Sequence, residues 1–434
     1  MFRLPAWLDR YRTLPSRVIW FAAGQFLVNL ITTAQFLLLN LFLKDRGLDD
    51  PSIAALTSQR FVATLLLAIP AGLWLRGRPL KAPLLAGAVL FPLAALVSLE
   101  AVRLDHMRLA SAAFLAMGFG GLLLNVASLP MALRLAPADR SSETLSLLFS
   151  TWAGASIFGG VLSAALQGIG SVELAGHRIV FDEHAALLVL TIAAFAAPLC
   201  YLKLPDPTSK RDPSHHWLRI HGEDAPLLLR ALVPTLCIAT GAGLSIQFLN
   251  LFFSHVHHLG STAYAAYGSV SNVLVLFAGL MVPEVKRRFG WRGAILGVQA
   301  VAVAILVVMG TTELWKQAAW ALPLALACYV LRQPLMSMAG PSTNELTMVY
   351  VGERNRELVS ACNGAIWSGA WWLAARTFEV LRTAGFTYWQ VFLATAALYT
   401  VGILRYRTII RVVERSESEA TCEAPLPGPG EIPR

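Results

Sequence analysis

The chain repeats one plan at long range. Residues 40–81 read NLFLKDRGLDDPSIAALTSQRFVATLLLAIPAGLWLRGRPLK, and residues 250–292 read NLFFSHVHHLGSTAYAAYGSVSNVLVLFAGLMVPEVKRRFGWR. Each copy is the end of one apolar run, a short polar loop, a second apolar run of about 25 residues and a basic turn. With one residue inserted in the second loop, Ser58 falls on Ser269 and Gly72 on Pro283, an offset of 211 that is close to half of the 434 residues. Any fold for this chain has to hold two related units and give long apolar helices apolar surroundings.

A helix needs about 20 apolar residues to cross a hydrocarbon core. Such runs occur at about 18–43, 51–75, 82–104, 108–135, 142–168 and 184–204, and again at about 227–255, 262–283, 292–312, 314–340, 356–383 and 387–409. With 56% hydrophobic and 14% charged residues, the chain has too little polar surface for a soluble protein of this length, so membrane lipid is its expected surrounding. The stretch Pro205 to Asp224 breaks the pattern with three prolines and clustered His, Lys and Arg. The expected architecture is an all-α membrane protein of twelve transmembrane helices in two six-helix pseudo-symmetric halves, 1–204 and 225–411. A cytoplasmic linker at 205–224 joins them, and a polar, Pro/Gly-rich tail at 412–434 reads as disordered.

Placing the N-terminus inside and alternating sides at each span puts most of the 35 Lys and Arg on the inner side. Inner clusters are Arg76, Arg78 and Lys81; Lys286, Arg287, Arg288 and Arg292; and Arg405, Arg407, Arg411 and Arg415. This predicts a multi-pass protein of a bacterial inner membrane with both termini cytoplasmic, and Met1 to Arg17 leads into a retained first span. The net charge of +9 follows from these turns, so no nucleic-acid partner is inferred. Five cysteines lie singly, and His255, His257 and His258 have no neighbouring carboxylate or Cys in sequence, so no metal or other cofactor is expected. No Walker loop, GxSxG or HExxH occurs, and no enzymatic activity is assigned.

At the basic turns the chain resembles the major facilitator superfamily, whose members carry G-x-x-x-D-R-x-G-R-R between spans two and three and an echo between eight and nine. Arg288, Gly290 and Arg292 match the echo in PEVKRRFGWR, and Gly72 with Arg76 stands for the first copy in GLWLRGRPLK. The motif's Asp is replaced by Arg76 and Arg287. The resemblance implies a secondary transporter working by alternating access, a site at the midplane lined by spans one, four, seven and ten, and a gate near the basic turns. It implies a small-molecule substrate, with a coupling proton or exchanged ion as the energy source, and a monomer as the working unit.

Polar residues on those spans are the binding candidates. Gln25, Asn29, Thr32 and Asn40 share a face of the first span; Thr240, Gly243, Gln247, Asn250 and Ser254 make a comparable stripe on the seventh. Such stripes either line a cavity or join helices by hydrogen bonds worth about 1 kcal/mol each. The tenth span presents Tyr329, Arg332, Gln333 and Met336. An unpaired guanidinium in hydrocarbon costs at least about 2.5–3.5 kcal/mol. Arg332 therefore has three readings: an anion clamp, a structural or gating partner, or a side chain snorkelling inward. On the eleventh span Asn363 and Trp367 share a face with Ser360 and Trp371, where the tryptophans either stack on a ligand or pack between helices. Arg60, opposite the uncharged Ser271 of the other copy, is a gate candidate beside Arg76, Arg288, Gly290 and Arg292.

Spans one, four, five, seven, eight and ten carry no central Asp or Glu by these boundaries, which weakens an exporter of cations. The leading expectation is transport of a small organic anion or amphipathic acid. The alternatives are an exporter of hydrophobic or drug-like compounds, suggested by the aromatic eleventh span, and a membrane assembly or sensor protein that keeps the carrier fold without transporting.

Overall fold

A computed structural model describes residues 10–423 except 49, 77, 138, 175–176, 207–223 and 260. In the first half, α1 comprises Ser16–Ala34, a π turn at Gln35–Leu39 and Asn40–Asp45; α2 is Asp50–Leu75, α3 Lys81–Arg103, α4 Met107–Leu135 and α5 Ser141–Ile169. A hairpin of β1, Ser171–Leu174, and β2, His177–Val180, precedes α6, which is Glu183–Ala194 with Ala197–Leu202. In the second half, α7 comprises Asp224–Ser245, a 3₁₀ turn at Ile246–Phe248 and Leu249–His257. There follow α8, Ser261–Trp291; α9, a π turn at Arg292–Gly297 with Val298–Thr311 and Thr312–Trp315; α10, Ala321–Val351; α11, Arg356–Thr383; and α12, Tyr388–Glu423. Among the described residues the hairpin is the one departure from an all-helical chain.

Nine stretches of the described residues are long and apolar enough to cross a membrane, and one of them, Tyr267–Trp315, covers both α8 and α9. The two remaining helices are α11 and α12, which carry more polar side chains along their length. Helix-interior prolines such as Pro70, Pro130, Pro234 and Pro283 are accommodated because neighbouring helices and side chains satisfy the freed backbone groups. The repeat recurs in the helix breaks: the spacing from the π turn at Gln35 to the 3₁₀ turn at Ile246 is within one residue of the 210 that separates Asn40 from Asn250, so α1 and α7 change pitch at nearly matching places.

Two boundaries differ from the sequence expectation. The tenth helix runs Ala321–Val351 rather than ending near 340, although Pro341 and the polar run after it read as a stop. Its polar groups are absorbed instead. Thr343 and Thr347 hydroxyls donate to the carbonyls of Ala339 (2.9 Å) and Thr343 (2.7 Å), and Asn344 Nδ2 donates to Gly340 O at 2.9 Å. The last helix continues to Glu423 instead of giving way to disorder at 412. No Gly or Pro interrupts residues 412–423, and Arg292 pairs with Glu414 at 2.8 Å while Arg415 and Glu419 sit an i,i+4 step apart. The remainder of the tail and nearly all of the linker at 205–224 lie outside the described residues.

Each half packs its own apolar core. One contains Phe21, Leu39, Phe91 and Phe114; the other is richer in aromatics, with Phe252, Phe253, Phe392 and Tyr399. A third, smaller cluster straddles the halves at the face that carries the basic turns, joining Leu73 of α2 to Met348, Val351, Leu358 and Val359 of α10 and α11. Close approach there requires a glycine: a Cβ on Gly72 would lie 2.6 Å from Ala361 Cβ.

Candidate functional site

Beneath the cavity described below, the halves are tied together at the basic face. Arg76, just past α2, donates through Nε to the Arg354 carbonyl at 2.7 Å and through its guanidinium to Asn355 Oδ1. Arg134 on α4 pairs with Glu357 at the start of α11. On the other side of the seam, Lys286 of α8 reaches both Glu345 of α10 and Ser142 of α5 at 2.9 Å, and Ser142 Oγ donates to Glu345 Oε2 at 2.5 Å. The carboxylates are deeply buried, Glu345 at 5% and Glu357 at 1% exposure, so each depends on its cationic partner. Tyr11, preceding α1, donates to the Leu280 carbonyl of α8 at 2.7 Å. Burial, with the Glu143 carboxylate adding to it, pushes this phenol well above its ordinary range and keeps it a donor.

Above this latch lies a cavity of about 420 Å³ between α5 and the second half. Among the described residues its wall is neutral. Phe149 and Trp152 come from α5, Thr235 and Ile238 from α7, Gln299 from α9, Gln333, Met336, Asn344 and Thr347 from α10, Asn363 and Trp367 from α11, and Tyr399 and Tyr406 from α12. Gln333 to Thr347 covers about 21 Å of helix at ~1.5 Å per residue, so the cavity is elongated along the bundle axis. Aromatic faces with a few carboxamides and hydroxyls suit a small amphipathic solute.

Arg332 does not belong to that wall. It is 2% exposed, with Nη2 donating to Tyr399 Oη at 3.2 Å and the guanidinium 5.8 Å from the Tyr399 ring centroid. Its Nε has no protein partner, and no carboxylate pairs with it among the described residues. Because α10 begins at Ala321 and ends at Val351, Arg332 lies about 17 Å from one end and about 28 Å from the other. Snorkelling to the basic face is thereby removed as an explanation. The charge sits one layer behind Tyr399, which itself faces the cavity.

Of the other sequence candidates, Gln333, Asn363 and Trp367 line the cavity. The first-span stripe is spent inside its own half. Gln25 Oε1 accepts from Ser128 Oγ (3.2 Å) and Tyr201 Oη (3.3 Å), Asn29 Nδ2 donates to Thr151 Oγ1 (3.0 Å), and Thr32 Oγ1 bonds back to Val28 O (3.4 Å). Asn250 is exposed and its Oδ1 accepts from Leu251 N, Tyr329 stacks on Tyr264 with centroids 5.4 Å apart, and the Gln247 side chain lies outside the described residues. Among the gate candidates Arg76 crosses the seam. Arg288 instead pairs with Glu284 (2.9 Å) and Arg292 with Glu414, both within the second half, and Gly290 takes the left-handed turn (φ 63°) that ends α8. Arg60 lies over the Phe61 ring at 4.9 Å, with Nε shielded and without a protein partner among the described residues. Tyr399 and Tyr406 carry no sequence signal that sets them apart, since α12 is not among the four helices expected to line the site, and Asn344 and Thr347 lie beyond the expected end of the tenth span.

Twelve helices in two repeated halves, closed against each other at one face with a cavity above, define a multi-pass integral membrane carrier rather than an enzyme. The model of the Major Facilitator Superfamily matches residues 21–375, and the chain belongs to that superfamily. Three of the many solved structures that share its fold illustrate the likeness. FucP, a Major Facilitator Superfamily transporter in the outward conformation, has a TM-score of 0.75 at 14% identity, covering 91% of this chain and 99% of that one. A bacterial homologue of the iron transporter ferroportin, in an outward-facing state, has a TM-score of 0.73 at 13% identity and the same coverages. The human organic anion transporter MFSD10 (TETRAN) has a TM-score of 0.68 at 14% identity, covering 93% and 100%. No curated protein matches the chain in sequence.

Proposed function

We propose that this secondary transporter carries a small organic anion or amphipathic acid, bound in the cavity of the second half with its acid group toward Tyr399. One observation carries the reading: a buried guanidinium without a carboxylate partner stands directly behind the Tyr399 hydroxyl. In a low-dielectric wall that charge projects a positive potential into the cavity, and an anionic ligand offsets the cost of burying it. Tyr399 accepts from Arg332, and its own proton is shared between the neighbouring Ser245 hydroxyl and the ligand. The clamp is then indirect, tyrosine first and arginine behind. The basic face is taken as cytoplasmic by the positive-inside rule, which makes the latched arrangement outward-facing. Rocking the halves requires Arg134–Glu357 and the Lys286–Ser142–Glu345 set to part.

The neutral, aromatic wall also favours a second reading, export of hydrophobic or drug-like compounds, in which Arg332 only orients Tyr399. Solved relatives on this fold include both a fucose:proton symporter and an organic anion transporter, so the fold does not choose between substrates. Thermal stabilisation of purified wild type and Arg332→Gln across matched acids, amines and neutral compounds separates the readings. Acids that stabilise the wild type and lose that effect in the variant support the anion carrier. Equal stabilisation of both proteins by neutral or cationic compounds moves the assignment to the exporter.

A further inference from the structure

One polar chain at the cavity wall is fixed in direction. The Gly340 carbonyl only accepts, and it takes Asn344 Nδ2 at 2.9 Å. That turns Asn344 Oδ1 toward α11, where Asn363 Nδ2 donates to it at 3.1 Å. Reversing either carboxamide would set oxygen against oxygen, or NH₂ against NH₂. Asn363 is therefore left with Oδ1 as its unpaired end, an atom that is shielded and without a protein partner among the described residues, on a side chain that lines the cavity. An acceptor held this way favours a ligand that brings a donor. Among the described residues no Asp or Glu lines the cavity to match an ammonium, so the fitting donor is a neutral hydroxyl or N–H. Trp367, one turn further along α11, lays an apolar face beside the same spot.

We propose that Asn363 selects for a neutral hydrogen-bond donor on the transported solute, with Asn344 as the positioning residue that fixes its carboxamide. This rests on the cavity being the transport site and narrows its ligand to an acid whose apolar body carries a hydroxyl or N–H group. The probes are phenylacetate, 4-hydroxyphenylacetate, 4-methoxyphenylacetate and alicyclic acids of similar size, each beside its methyl ester. Apparent affinity is read from thermal stabilisation of the purified full chain. Hydroxylated acids should bind the wild type about tenfold more tightly than their parents, the scale of one buried hydrogen bond. Asn363→Leu should erase that ratio while keeping acid over ester; Arg332→Gln should do the reverse. Asn363→Gln, which keeps a carboxamide with both a donor for Asn344 and an acceptor, should retain part of the ratio and guards against a folding defect in the leucine variant. Asn344→Leu frees Asn363 to turn its NH₂ outward, so the methoxy compound, which only accepts, should gain against its parent, an effect that loosened packing alone does not produce. A wild-type ratio near one, or a ratio that survives Asn363→Leu, overturns the Asn363 assignment and leaves the anion reading standing. Hydroxylated esters binding as well as the acids overturn the anion reading and leave Asn363 standing. No stabilisation by any probe overturns both.

Discussion

The two halves repeat one plan and use their amides in opposite ways. On α1, Gln25 and Asn29 are turned inward to α4, α5 and α6 of their own half, where they accept from Ser128 and Tyr201 and donate to Thr151. On α10 and α11, Gln333, Asn344 and Asn363 open on the cavity. The same residue type at comparable depth is helix glue in one half and cavity wall in the other. In the proposed division of labour the first half acts as a packed door, contributing α5 to the cavity and α2 and α4 to the latch, while the second half holds the solute.

The largest effect expected is at the latch, because it joins the door to the binding half. Replacing Arg134 by Leu strands Glu357 as a buried unpaired charge, which costs about 3–5 kcal/mol. The variant should unfold at markedly lower temperature, and Arg134→Met with Glu357→Leu should recover most of the loss. If the double variant instead stays as unstable as the single, the loss comes from the contacts Arg134 itself makes, among them its bond to the Arg78 carbonyl, and not from a stranded carboxylate. Labelling of cysteines introduced at the basic face should rise in the double variant, because the seam then opens without a charge penalty.

Second in size is Tyr399→Phe, which removes the hydroxyl between Arg332 and the cavity. A hydrogen bond involving a charged partner is worth about 1.5–3 kcal/mol, so apparent affinity for an acid should fall by about ten- to a hundredfold. Stability should fall as well, because the buried Arg332 loses the hydroxyl it donates to, so binding and unfolding have to be measured separately. Unchanged uptake at low substrate concentration would place the acid group elsewhere in the molecule.

How far these features were readable before the fold was known depends on what kind of signal they leave. The twelve spans and the two halves were legible because twenty apolar residues in lipid leave few alternatives to a helix. Helix ends were not always legible. In α10 the polar run after Pro341 reads as a loop; the back-bonds of Thr343, Asn344 and Thr347 and the Ser142–Lys286–Glu345 contacts from other helices explain why it stays helical and buried. Arg332 was conspicuous as a cation in a span, but whether it faced ligand or protein depended on Tyr399, 67 residues further along. The amide stripe of α1 carried the same pattern as a cavity face. Periodicity says that side chains share a face; it does not say what that face meets.

The smallest effect separates the two uses of an amide. Gln25→Leu on α1 removes an acceptor for Ser128 and Tyr201, and Ser128 keeps its back-bond to Leu124 O at 2.6 Å. The loss should be about 1 kcal/mol of stability, the size of one interhelical hydrogen bond in lipid. Apparent affinity and the ranking of ligands should stay as in the wild type, whereas Gln333→Leu, on the cavity wall, should change the ranking with little effect on unfolding. Measured side by side, the pair tests the door-and-holder division directly. A shift in ligand ranking from Gln25→Leu would bring α1 into the substrate path, as the sequence stripe first suggested, and the first half would then share in binding.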